Sequence, residues 1–171
     1  MTDDDDNPAA FALAHDPAVL AARVLRLPEH ANLLENEVHI GYVFRGTPKE
    51  KGGKTELGSV HVVRSMFQGG FKDMALQMLE TFLGHLPEFL VVLDAQWWTQ
   101  ASDRQREALI FHELCHIKQK LDQYGAPRFD RDGNPVFGIV EHDITAFNDE
   151  VARYGAWTPS IQQFLNTADA A

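Results

Sequence analysis

The chain has 171 residues, of which 44% are hydrophobic and 23% are charged, proportions typical of one globular domain. Its formal net charge of −10 argues against nucleic acid as the main ligand. Cys115 is the one cysteine in the sequence, so no disulfide can form within the chain, and a reducing, cytoplasmic compartment is expected.

The amino-terminal residues form an acidic leader. Residues 3–6 are all aspartate, and this run of like charges predicts a disordered segment over residues 1–10, followed by a single domain over residues 11–171. The leader lacks the layout of a signal peptide, and no apolar run approaches the length of a membrane span. Asp16 and Pro17 then make a typical helix start, and the helix is predicted to end at Pro28.

Two strands are predicted next. Apolar residues alternate with others over residues 37–45, which is typical of a strand with one buried face. A loop rich in glycine and lysine follows, and residues 57–64 are predicted to be the returning strand. The two segments together therefore predict an antiparallel hairpin with a long connection.

A helix and a buried strand precede the most informative part of the chain. Apolar residues recur at helical spacing over residues 71–84, which predicts an amphipathic helix whose methionines, Met74 and Met78, pack into the core. The continuous apolar run over residues 89–93 predicts a strand that is buried on both faces.

A third helix is predicted over residues 102–121. Ser102 and Gln105 have the spacing of a capping box at its start. Its core stripe would consist of Ile110, Leu114, Ile117 and Leu121. The two tryptophans before it, Trp97 and Trp98, are interpreted as packing residues that could instead line a substrate subsite.

This helix carries the motif His112-Glu113-Leu114-Cys115-His116, which has the pattern His-Glu-x-x-His. Residues four apart lie on one face of a helix, so His112 and His116 can bind one metal ion, and two imidazoles at this spacing suit Zn²⁺. Glu113 lies about 100° around the helix from His112, where it can act as a general base on a water activated by the metal without binding the ion. Cys115, inside the motif, is interpreted as a small core residue.

Two alternatives to a catalytic site remain open on the residues alone. The motif helix could be a core helix whose histidines are satisfied by hydrogen bonds, because buried polar groups need partners. A zinc site could also hold the fold or a partner together without turnover. A closed structural site has four protein ligands and no need of a general base, so Glu113 separates this alternative from an enzyme.

The segment after residue 121 is predicted to contain a hairpin or flap over residues 127–138, a helix over residues 144–155, and a last helix over residues 158–167. A catalytic zinc usually has three protein ligands and one open position, so a third ligand is expected where the chain returns to the motif. The candidates are Glu141, His142, Asp143 and Glu150. On this reading His142 begins the helix at residue 144 and can point back at the motif. Asp143 can orient His142 or cap that helix, and capping is the simpler account.

Several separated stretches resemble one family. They are Phe89-Leu90-Val91-Val92-Leu93, Trp97, the run from Arg106 to His116, His142-Asp143-Ile144-Thr145-Ala146-Phe147, and Arg153-Tyr154-Gly155. Together they resemble the putative phage metallopeptidases, which are similar in pattern to the SprT-like zinc proteases. In that pattern a His-x-x-x-Phe segment carries the third ligand, and the segment here is one residue longer.

The resemblance implies an α+β, zincin-like fold with a small sheet packed on the motif helix and a helical carboxyl-terminal part. It implies a zinc metallopeptidase that hydrolyses peptide bonds in a protein or peptide substrate, with His112, His116 and His142 as metal ligands and Glu113 as the general base. The alternative is a non-catalytic zinc-binding regulatory or interaction protein of phage or prophage origin. No membrane or nucleic-acid partner is expected.

Overall fold

A computed structural model describes residues 10–144, 148–156 and 158–171, with the backbone alone at residues 149 and 150. These residues form two compact units, one that ends at Val140 and one that begins at Glu141. The first unit is a mixed α+β structure, as expected, and its main sheet has four strands, one of which, at Phe11–Leu13, was not predicted. The single domain over residues 11–171 stays a prediction.

The sheet of the first unit has the strand order β1-β2-β6-β5. Its strands are β1 (Phe11–Leu13), β2 (Ile40–Arg45), β5 (Gly58–Val62) and β6 (Phe89–Asp94). Strand β6 is parallel to β2, with Ile40 opposite Phe89, and antiparallel to β5, with Val62 opposite Phe89. The predicted hairpin of the segments over residues 37–45 and 57–64 is therefore wrong, because β6 lies between the two strands. The connection between them instead folds into a small hairpin of its own, β3 (Glu50–Lys51) and β4 (Lys54–Thr55).

Helices cover both faces of this sheet, which accounts for the burial of all six residues of β6. The described helices of this unit are α1 (His15–Val24), α2 (Ala31–Glu35), α3 (Val63–Met66), α4 (Lys72–Leu83), α5 (Ala95–Gln100) and α6 (Asp103–Cys115). One face packs with α1 and α6 into a cluster that includes Val91, Leu93, Ile110 and Leu114. The other face carries Val43, Leu90 and Val92, against which Leu76, Leu79 and Leu83 of α4 pack.

Helix α4 has the predicted position, but the assignment of its methionines to the core is wrong. Met74 and Met78 are 54% and 64% exposed, and no residue of α4 is buried. The leucines of the helix make its contact with the sheet. Its apolar surface is therefore wider than the part that the sheet covers.

Helix α6 is shorter than predicted, because it ends at Cys115. Residues Ile117–Gln119 form strand β7, which pairs antiparallel with β8 (Phe137–Ile139). Leu121, which was expected in the core stripe, is 62% exposed, whereas Ile110, Leu114 and Ile117 are buried. The predicted flap is thus confirmed as a β-ribbon that starts directly after the motif, with further isolated bridges between Leu121 and Pro127 and between Phe129 and Pro135.

The second unit carries two described helices, α7 (Asn148–Tyr154) and α8 (Pro159–Asp169). The hydroxyl of Thr158 accepts a hydrogen bond from the backbone N–H of Ile161, and Pro159 occupies the first turn, which fixes the start of α8 as predicted. Residues 142–144 lie outside any helix, so the expectation that His142 begins the next helix, and that Asp143 caps it there, is wrong. Phe147, which falls within the predicted helix over residues 144–155, lies outside the described residues. None of the helices in the described part of the chain combines the length and apolar composition that a membrane crossing requires.

Candidate metal centre

The motif lies in a helix whose start and packing are both well defined. The Ser102 hydroxyl accepts from the backbone N–H of Gln105 at 3.3 Å, and the Gln105 side chain accepts from the backbone N–H of Ser102 at 2.9 Å, so the capping box is confirmed. Farther along, Ile110 and Leu114 are fully buried against the sheet. This anchoring fixes the rotation of α6 and therefore the direction in which the motif side chains point.

His112 and His116 lie next to each other at the carboxyl end of α6. Their ring centroids are 5.1 Å apart, and the ring planes are inclined by 80°. His116 caps the helix and keeps helical dihedral angles, with φ −67° and ψ −21°. The early end of the helix therefore leaves the one-turn spacing of the two histidines intact.

The return of the chain at residue 140 fixes His116. The backbone N–H of Val140 donates to the carbonyl oxygen of His116 at 2.8 Å, and Nδ1 of His116 lies 2.7 Å from the carbonyl oxygen of Val140. Since a carbonyl oxygen can only accept, the imidazole donates through Nδ1 in this contact. The other ring nitrogen, Nε2, is then the one with a lone pair available to a metal ion.

His142 follows two residues later and completes a group of possible metal ligands. One ring nitrogen from each of His112, His116 and His142 lies within 4.8 Å of the other two. His112 and His142 are exposed, and His116 is partly buried. The described residues Glu141 and Asp143, which were also candidates for the third ligand, are not in this group. The side chain of Glu150 lies outside the described part of the chain.

Glu113 is buried, with only 3% of its surface exposed. Its carboxyl group lies against the backbone of Gly58, the first residue of strand β5. Burial, and then the negative charge of Glu56, raise the pKa of Glu113 to about 7. A carboxyl group held in this way is more basic than an ordinary glutamate, which suits a group that accepts a proton near neutral pH.

Glu56 itself belongs to a network of charges beside the site. Its carboxylate lies 3.3 Å from Nη1 of Arg45 and 3.1 Å from Nζ of Lys49. Burial acts to raise the pKa of Glu56, but the hydrogen bonds and charges of Lys49 and Arg45 outweigh it and lower the pKa. Glu56 is thus held in its charged form, which explains its repulsive effect on Glu113.

Sequence reasoning did not identify Glu56 or Gly58. Glu56 lies in a polar segment, and nothing in the local sequence distinguishes it from the exposed acidic residues of the chain. Gly58 does leave a trace in the sequence, because it takes the first of the alternating positions that Val60 and Val62 continue.

The two tryptophans before the motif helix are packing residues, as interpreted from the sequence. Trp98 is buried in the core cluster that contains Ile110 and Leu114, and Trp97 packs against that cluster.

A mixed α+β chain in which three histidines each bring a ring nitrogen within 4.8 Å of the other two has the side chains to hold a metal ion, and the buried Glu113 follows the first of these histidines in the sequence. The chain belongs to the putative phage metallopeptidase family, whose model matches residues 10–169. Neither the curated proteins nor the solved structures contain a match. The family and the histidine group together indicate a metal-dependent peptidase with protein or peptide substrates.

Proposed function

We propose that this protein is a zinc peptidase with a zincin-like arrangement. In this proposal His112, His116 and His142 hold the metal ion, and Glu113 is the general base. The observation that carries the proposal is the group of three ring nitrogens within 4.8 Å of one another. Two of them come from the carboxyl end of α6, where the buried Glu113 directly follows His112.

The donor set fits a zinc ion. Zinc–nitrogen distances of about 2.0–2.1 Å in a tetrahedral site place neighbouring ligand nitrogens about 3.3 Å apart. Nitrogens within 4.8 Å of one another reach that spacing through small side-chain rotations. Three imidazoles are also the number that catalytic zinc sites use, since the fourth position is then left for water or substrate.

The chain itself supplies the groups that orient the proposed metal ligands and that carry the proton to the leaving amine. A bound zinc ion supplies Lewis acidity and lowers the pKa of a water that it polarises. Glu113, whose carboxyl group lies beside Gly58, would accept a proton from the water that attacks the peptide carbonyl carbon, and would donate it to the nitrogen of the leaving amine as the C–N bond breaks. The contact between Val140 and Nδ1 of His116 keeps the imidazole in the tautomer that a metal ligand needs.

The exposure of the ligands favours an enzyme over a structural zinc site. His112 and His142 are both exposed, so a peptide can approach the side of the group that they form. A buried, closed cluster would be expected if the metal only held the fold together.

Metal removal and restoration test the proposal. The wild-type protein, incubated with a broad library of peptides, should cleave some of them, lose this activity on treatment with a chelator, and recover it when Zn²⁺ is restored. The double variant His112→Ala/His116→Ala should cleave nothing above background at any zinc concentration. Cleavage that survives both the chelator and the double substitution would refute the proposal.

A further inference from the structure

We propose that Gly58 is a positioning residue: its missing side chain creates the space in which the carboxyl group of Glu113 lies. The inference rests on the proposed function, because it assigns the place of the general base to a specific position of strand β5. Glu113 and Gly58 are 55 residues apart in the sequence, and only the packing of α6 on the sheet brings them together.

The contact is too close for any side chain at position 58. A Cβ atom built on Gly58 would lie 2.8 Å from Cδ and 3.1 Å from Cγ of Glu113, and closer still to Oε1. Heavy atoms that are not bonded approach one another to about 3.5 Å or more at their optimum. A Cβ atom at this position and the present placement of the Glu113 carboxyl group therefore exclude each other.

The pattern of the strand shows which space the glycine leaves free. Successive side chains of a strand alternate between its faces, so Gly58, Val60 and Val62 point to one side. Val60 and Val62 pack against the same core cluster as Ile110 and Leu114 of α6. At the first of these three positions the volume of a valine is missing, and the carboxyl group of Glu113 occupies it.

The backbone gives no other reason for glycine here. The φ angle of Gly58 lies outside the left-handed region, and β5 is regular where Gly58 pairs with Leu93. Glycine weakens a strand, so it is expected where a close approach requires it. Gly138 is a different case, because the atoms nearest to a Cβ atom built there belong to the long, flexible side chain of Lys120.

A side chain at position 58 would move the Glu113 carboxyl group out of alignment with the water from which it takes a proton. Glu113 is buried, and its carboxyl group has little room to take another position without displacing core side chains. In Gly58→Ala the side chain must rotate away from the strand, and the proton acceptor moves with it. Displacing a catalytic group by about 1 Å can cost on the order of a hundredfold in rate.

The first experiment compares Gly58→Ala with Gly70→Ala on a peptide that the wild-type protein cleaves. Gly70 has nothing within 4 Å of a built Cβ atom, and its φ angle also lies outside the left-handed region, so it controls for the change of backbone freedom. We expect Gly58→Ala to lower kcat by roughly ten- to a hundredfold. KM and the zinc content should stay within twofold of wild type. Gly70→Ala should match wild type in all three, and an unchanged kcat in Gly58→Ala would overturn the inference.

A conservative change of the partner provides a rescue test. The side chain of aspartate is one methylene shorter, so in Glu113→Asp the carboxyl group has more room beside position 58. The fold-loss of kcat caused by Gly58→Ala should therefore be clearly smaller in the Glu113→Asp background than in the wild-type background. An equal loss in both backgrounds would mean that Gly58 acts on something other than the Glu113 carboxyl group.

A double-mutant cycle in thermal unfolding needs no substrate, so it separates this inference from the proposed function. Gly58→Ala should lower the Tm in the presence of Glu113. In the Glu113→Ala background it should shift the Tm no more than Gly70→Ala does. Equal shifts in the two backgrounds would overturn the contact, whereas a coupled cycle in a protein that cleaves no peptide would overturn the proposed function alone.

Discussion

His116 and Val140 hold each other through two hydrogen bonds, one between their backbones at 2.8 Å and one from the imidazole Nδ1 to the Val140 carbonyl oxygen at 2.7 Å. The first bond fixes where the chain returns to the motif. The second selects the imidazole tautomer in which Nδ1 carries the hydrogen atom. The backbone at Val140 thus orients one candidate ligand, His116, and the next candidate, His142, follows Val140 by two residues.

Metal content gives the first prediction. Protein purified without chelator should contain one zinc ion per chain, and His112→Ala/His116→Ala should contain none, because two of the three imidazoles are lost. Elemental analysis of the purified proteins measures this directly. The matched control is His39→Ala/His85→Ala, which removes two neighbouring histidines whose rings are 6.4 Å apart. If His112→Ala/His116→Ala still contained zinc, the two histidines of the motif would not be the metal ligands.

The identity of the third ligand gives the second prediction. His142→Ala should weaken zinc binding by at least tenfold, since loss of a direct ligand is expected to cost no less than the 10- to 100-fold typical of outer-shell changes. The neighbouring substitution Glu141→Ala should leave the affinity near that of wild type. Competition with a chromogenic chelator gives both dissociation constants. If Glu141→Ala weakened zinc binding strongly and His142→Ala had little effect, Glu141 would be the third ligand in place of His142.

The exposed methionines of α4 give the third prediction. Met74→Gln and Met78→Gln should each change the free energy of unfolding by less than about 0.5 kcal/mol, because both side chains are more than half exposed. Leu79→Ala, on the face of the helix that packs against the sheet, should cost about 2 kcal/mol. Urea unfolding measures all three. If either methionine variant lost much more free energy of unfolding than this, the methionines would contribute to the core as the sequence pattern predicted.

Local signals in the sequence predicted the parts of the structure that depend on neighbouring residues. The capping box at Ser102 and the helix start at Thr158 involve contacts over three positions. The one-turn spacing of His112 and His116 is equally local. Each of these features was predicted correctly because nearby residues determine it.

Features that depend on distant pairing were not predictable in the same way. The apolar spacing of Ile110, Leu114, Ile117 and Leu121 fits one continuous helix, yet Ile117–Gln119 pairs as a strand with Phe137–Ile139, which lie 18 to 22 positions later. Likewise, alternation indicates that β2 and β5 are strands but does not identify their neighbours, and β6 inserts between them. The contact of Gly58 with Glu113 depends on this same packing, so the alternation of β5 marks the position of Gly58 but does not reveal its partner.

His30 gives the fourth prediction, which concerns stability against pH. Its side chain is 1% exposed and packs edge-on against Phe111, with ring centroids 4.6 Å apart. Neither ring nitrogen has a hydrogen-bond partner among the described residues. Burial, and then the positive charge of Lys118, lower the pKa of His30 below its ordinary value of 6.5.

The sign of the effect follows from linkage. The unfolded chain protonates His30 at a higher pH than the folded protein, so the stability contributed by the neutral ring is present above pH 6.5 and is lost as the pH falls below it. His30→Leu should therefore reduce the loss of Tm between pH 7 and pH 5, while the exposed control His85→Leu should not. An unchanged pH profile in His30→Leu would show that other groups cause the loss.

The last prediction separates the general base from the metal ligands. Glu113→Gln keeps the size of the side chain and its fit beside Gly58, but an amide cannot accept the proton that a carboxylate accepts. The variant should bind zinc as the wild-type protein does, keep its fold by circular dichroism, and lower kcat by roughly a hundredfold or more. Because the ligands are untouched, the zinc content serves as the internal control. If Glu113→Gln cleaves as fast as wild type, another group takes the proton even though the metal site stands. If wild type itself cleaves no peptide and its zinc is bound by four protein ligands, a structural or regulatory zinc site replaces the peptidase.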